Sequence, residues 1–165
     1  VRLTITILKD TKTIDGIRTR VIEERETHNG ELVEVSRNFF AICNRNNSVF
    51  YFGEKVDIYE NGEIVSHEGS WEAGTNNAGP GLVMPGIVLV GARYVQEIAP
   101  KVAIDRAEIM SINEVVETPA GEFENVLKTL ETTPLEPDAK EFKFYAPGVG
   151  IIQDGVLKLV DVSQG

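Results

Sequence analysis

Imidazole and thiol are scarce in this chain: His28 and His67 are its two histidines and Cys43 its single cysteine. A Ser-His-Asp or Cys-His machine needs a nucleophile held beside a base, and no Gly-x-Ser-x-Gly elbow is present. Cys43 closes the apolar stretch Phe39-Phe40-Ala41-Ile42-Cys43, where a thiol without a cationic neighbour stays inert. His28 immediately precedes Asn29-Gly30 and belongs to a solvated hairpin tip. That leaves His67-Glu68 and Glu72, beside Trp71, as the place where imidazole meets carboxylates. One reading is a hydrolase using His67 with Glu68 or Glu72. The plainer one is a hydrogen-bonded histidine at a strand-to-loop junction, because adjacent strand residues point to opposite faces.

Metal and phosphate chemistry find less support. The Cys/His count of structural zinc is missing, as is an Asp-x-Asp-x-Asp-Gly calcium loop. Gly79-Pro80-Gly81 lacks the lysine of a phosphate-binding loop. Carboxylate pairs are abundant, but Glu23-Glu24, Glu26, Glu114, Glu117, Glu122, Glu124 and Glu131 fall where strands present solvated faces. No catalytic residue, metal or cofactor is assigned.

Aromatic residues form the remaining constellation. Phe39, Phe40, Phe50, Tyr51, Phe52 and Tyr59 gather in the first half of the chain, Phe142, Phe144 and Tyr145 in the second. The run Phe50-Tyr51-Phe52 puts rings on both faces of a strand. One face is core, and the other needs a cover from the chain itself, a partner or an apolar ligand. Trp71, Met84, Tyr51, Phe52 and Tyr145 are the candidate ligand-binding residues, as walls rather than catalysts.

The elements that must position these residues read as strands. Asp15-Gly16, Asn29-Gly30, Asn61-Gly62 and Asp154-Gly155 each separate two β-branched or apolar runs. Such pairs tolerate the positive φ that tight hairpins require. Residues 44–47 and Pro119-Ala120-Gly121 add two further turns. Leu3, Ile5 and Ile7 alternate with Arg2, Thr4 and Thr6, while Val33, Val35, Phe39 and Ala41 share a face on which Arg37 is the exception. A helix competes only at residues 99–110. The expected fold is all-β: an antiparallel meander of roughly ten strands forming a strongly curved sheet or incomplete barrel. Residues 69–91, rich in glycine and proline, form one long ordered loop packed on the sheet. No linker divides the chain, so residues 1–165 are read as a single domain.

Composition bounds the partners. Sixteen Lys and Arg stand against 26 Asp and Glu, a net charge of −10, which excludes the basic surface that nucleic acid demands. A 42% hydrophobic share is ordinary for a folded core. The apolar run at residues 86–91 is far short of the roughly 20 residues of a membrane helix. The chain opens directly on a strand, with neither Met nor signal peptide, as a processed chain or fragment would.

One series of motifs carries a likeness. Tyr51-Phe52-Gly53-Glu54, Gly69-Ser70-Trp71-Glu72-Ala73-Gly74, Pro80-Gly81-Leu82-Val83-Met84-Pro85, residues 131–137 and Tyr145-Ala146-Pro147-Gly148-Val149-Gly150 together resemble a family of uncharacterised bacterial and archaeal secreted proteins, often lipoproteins. The resemblance spans nearly the whole chain. It implies a secreted, periplasmic or cell-surface setting and carries no activity. In architecture, the meander is more distantly similar to the half-barrels of lipoprotein carriers. The function expected is a non-enzymatic exported domain that binds an apolar or amphiphilic ligand, or a partner, on a concave sheet face. The alternative is a structural subunit that self-associates through the strand from Val1 to Lys9.

Overall fold

The computed structural model describes residues 1–163. The alternating sequence becomes thirteen strands with no helix among the described residues. β1 (Arg2–Ile14), β2 (Ile17–His28), β3 (Glu31–Ile42), β4 (Val49–Glu60) and β5 (Glu63–Ser66) form an antiparallel meander. β6 (Trp71–Glu72) and β7 (Gly81–Met84) also pair with β4. A second sheet contains β8 (Arg93–Val95), β9 (Arg106–Thr118), β10 (Gly121–Thr133), β11 (Glu136–Ala146), β12 (Gly150–Asp154) and β13 (Leu157–Lys158), in the order β13-β12-β11-β10-β9-β8. The residues of the helix alternative instead make a bridge between Ala99 and Ala103 and the start of β9.

Turn chemistry explains the hairpins. Asp15-Gly16, Asn29-Gly30 and Asn61-Gly62 all take positive φ at both residues, the geometry whose twist matches that of the flanking strands. The last hairpin turns one residue later than Asp154-Gly155 implies, because Asp154 still belongs to β12.

By backbone contact the chain gathers into two compact units. One comprises Val1–Ile87 and Val95–Asp105, the other Val88–Tyr94 and the residues from Arg106 onward. Ile14, Val21, Phe39, Tyr51, Phe52, Trp71, Ala73 and Ala99 form the core of the first. Val116, Val126, Ala146 and Ile152 form that of the second. Apolar burial on this scale is the principal favourable term in folding.

Neither sheet closes, and no closed or strongly curled sheet is found among the described residues. This corrects the incomplete barrel expected from the meander. A filled barrel takes about eight strands, whereas here the ladder stops at β5 because the chain turns back along β4. The far edge of β4 is tiled by three short strands: β5 against Ile58–Glu60, β6 against Gly53 and Glu54, β7 against Val49–Tyr51. Gly53 makes the middle contact possible. Its φ is +125°, and a Cβ there would stand 2.3 Å from the Trp71 carbonyl oxygen.

Candidate functional site

The expected aromatic walls are largely spent on the core. Tyr51, Phe52 and Trp71 are buried, with Tyr51 stacked on Phe40 at 4.6 Å and meeting Trp71 edge-to-face at 5.3 Å. Met84 is half-buried on β7, opposite Val49. Tyr145 belongs to the second unit. There its hydroxyl lies 3.5 Å from Glu131 Oε1, and Lys143 Nζ lies 3.1 Å from Glu131 Oε2 and 3.5 Å from Asp154 Oδ2. Burial opposes the charge on Lys143, yet Glu131, Tyr145 and Asp154 outweigh it and raise the ammonium's pKa. Lys143 is a locked cation, unsuited to nucleophilic work.

His67, Glu68 and Glu72 each find a different environment. His67 Nδ1 is 2.8 Å from Asp57 Oδ1, Glu72 pairs with Lys12, and Glu68 is exposed. No group of three or more His, Cys, Asp or Glu residues able to hold a metal ion occurs among the described residues.

What the structure does assemble lies on the two faces of β2, β3 and β4. Paired residues share a face. Glu23, Arg37 and Lys55 form one row, and Arg25, Val35 and Asp57 the next. Arg37 reaches Glu23 and Asp57 at 3.1 Å each, and Lys55 stands 3.5 Å from Asp57. Arg37, the odd residue in its apolar row, is therefore a cation between two carboxylates. Burial raises the Asp57 pKa, but Lys55, Arg37 and His67 overcome it and hold the carboxyl below its ordinary value.

The opposite face groups several acids. Glu24 aligns with Ser36 and Val56; Ile22 with Asn38, Glu54 and Trp71; Glu26 with Glu34 and Ile58. Burial, then Glu34, Glu24 and Asp105, push Glu54 up to about 7 against the opposing effect of Tyr51. Burial and Glu26 raise Glu34 likewise. Asn38 donates from Nδ2 to Ser36 Oγ at 3.2 Å and to the Ile22 carbonyl at 3.5 Å. Its Oδ1 accepts the Tyr51 hydroxyl. Sequence reasoning quoted Glu54 only as part of a motif and missed Asn38, Glu34 and Asp57. Their partners lie on other strands, where spacing along the chain carries no signal.

The third feature is the β1 edge. No strand among the described residues lies beyond it. Leu3 to Ile7 pairs regularly with residues 22–26 of β2, and the register breaks only between Ile7 and Thr11. There Arg20 bonds the carbonyls of Leu8 and Lys9 at 3.2 and 2.9 Å. Ile5 is 43% and Ile7 72% exposed.

Comparison with known protein families, with curated proteins and with solved structures gives no match. The site is therefore read from its own geometry.

Proposed function

We propose that this chain is a non-enzymatic association module whose β1 edge adds to the β1 edge of a second copy, in the exported setting that its motifs imply. The observation that carries the reading is the unguarded run Leu3-Thr4-Ile5-Thr6-Ile7 on a free edge. Natural edge strands are blunted by charge, proline or a bulge. In β1 Arg2 stands just before this run, and the bulge, Lys9, Asp10 and Lys12 all come after it, so no charge or bulge falls within it.

The run is also self-complementary. Antiparallel pairing about Ile5 sets Leu3 opposite Ile7 of the second copy, and Thr4 opposite Thr6, on opposite faces. Apolar and Thr–Thr cross-strand pairs each contribute about 0.2–1 kcal/mol, and such an isologous contact forms a closed dimer. The buried rings of Tyr51, Phe52 and Trp71 favour this edge over an apolar ligand on the sheet face.

Sedimentation velocity tests it. The wild-type chain is expected to dimerise at micromolar concentration, and Ile5→Lys to remain monomeric with a thermal midpoint that no longer depends on protein concentration. A monomeric wild type, or an Ile5→Lys dimer, would falsify the proposal.

A further inference from the structure

The face that carries Glu23, Arg37 and Lys55 continues onto β1, and there its chemistry changes. Cross-strand pairing sets Arg2 opposite Thr27 and Thr4 opposite Arg25. Paired residues share a face, and strand alternation places Arg2 with Thr4 and Arg25 with Thr27 on it. Two guanidines and two hydroxyls therefore alternate at the corners of one patch. The guanidines occupy a diagonal of roughly 7–8 Å between backbones, a span that two long side chains close over a shared ligand.

Neither guanidine is spent within the chain. Among the described residues the Arg2 side chain has no ion-pair partner. Arg25 stands 3.8 Å from Glu23 Oε1, but the same carboxyl gives Oε2 to Arg37 at 3.1 Å. Asp57, two strands from Arg25 across Val35, is held by Arg37, Lys55 and His67. Arg2 and Arg25 border an open cavity of about 540 Å³ together with Thr4, Thr27 and the Asn29-Gly30 turn. That volume lies in the range of small-molecule sites. No carboxylate lines it, and Arg2, Arg25, Thr4, Thr27 and Asn29 all carry hydrogen-bond donors. Thr27 Oγ1 has only a long contact, 3.5 Å, to the Arg2 carbonyl.

We propose that this patch is an oxyanion site, in which Arg2 and Arg25 clamp a phosphate or sulfate group while Thr4, Thr27 and Asn29 complete its shell. A guanidinium fork matches two oxygens of such a group at once, and two forks balance a double negative charge. A carboxylate, with one charge and two oxygens, satisfies only one of them. With a net charge of −10, the chain as a whole repels anions, so capture depends on these local contacts. The patch lies on a sheet face and the β1 edge lies in the sheet plane, so this site and the proposed dimer stand or fall separately.

Amide NMR of the full chain tests the site, with sodium phosphate, sulfate and acetate titrated in turn at ionic strength held constant with chloride. Phosphate and sulfate are expected to give saturable shifts at Thr4, Arg25, Thr27 and Asn29, and acetate to bind about tenfold more weakly. Arg2→Gln and Arg25→Gln should each weaken phosphate about tenfold. Arg45→Gln, in the turn between β3 and β4, should leave it unchanged. All three arginines are exposed, so the variants are expected to keep the fold. Glycerol phosphate separates the sources: tighter binding than inorganic phosphate identifies a phosphorylated small molecule, and equal or weaker binding the free ion. Shifts that never saturate, that chloride reproduces, or that survive in both Arg2→Gln and Arg25→Gln overturn the site.

Discussion

Glu54 and Asp57 stand three residues apart on β4, on opposite faces of one sheet, and their carboxyls are shifted in opposite directions. Both meet a desolvation penalty. Around Asp57 the cross-strand rows supply Arg37 and Lys55, with His67 arriving from beyond β5. Around Glu54 they supply Glu24 and Glu34. The sign of a shift here is decided by the neighbours on adjacent strands rather than by burial alone.

The largest expected effect comes from removing the cover of the Glu54 face. Trp71→Ala should cost about 3–5 kcal/mol in urea unfolding, as the loss of a large buried side chain does. A loss below about 1 kcal/mol would mean that β6 contributes little to this face.

Next comes pH. Glu54 has a raised folded pKa, so its contribution falls as pH rises from 4.5 toward 7. Asp57 has a lowered one, so its contribution is present above its ordinary value of 3.8 and is lost as pH falls through the folded value. The wild-type thermal midpoint should therefore peak in mild acid. Glu54→Gln is expected to stabilise the protein by up to about 3 kcal/mol at alkaline pH. Asp57→Asn should flatten the acid limb instead. Identical pH profiles for the two variants would erase the distinction between the faces.

Salt gives the smallest effect and the sharpest contrast. High salt should weaken the Asp57 network by under about 1 kcal/mol, since Lys55 and His67 are well exposed. The same salt should relieve repulsion among Glu24, Glu34 and Glu54. Measured in Glu54→Gln, salt should destabilise; in Asp57→Asn it should stabilise. Equal signs in both would show that one screening effect covers the whole sheet.

Several of these features are legible in the amino-acid sequence. Asn29-Gly30 and Asn61-Gly62 announce hairpins because positive φ is a property of those residues themselves. The alternation of Leu3, Ile5 and Ile7 with Thr4 and Thr6 announces a strand, and Arg37 stands out in an apolar row. The identity of Arg37's partners is not legible, because Glu23 and Asp57 come from two other strands. The aromatic run at residues 50–52 signals an important strand, yet whether Tyr51 faces a ligand or Trp71 depends on where β6 docks.

Local chemistry in the sequence therefore determined the strands, their turns and the antiparallel all-β class, because strand alternation and hairpin φ are settled within a few residues. Tertiary structure alone decided that the sheets stay open, that β6 and β7 tile β4, and that Glu54 keeps company with acids while Asp57 keeps company with cations. Those outcomes depend on cross-strand register, and one residue of slip moves every side chain to the other face.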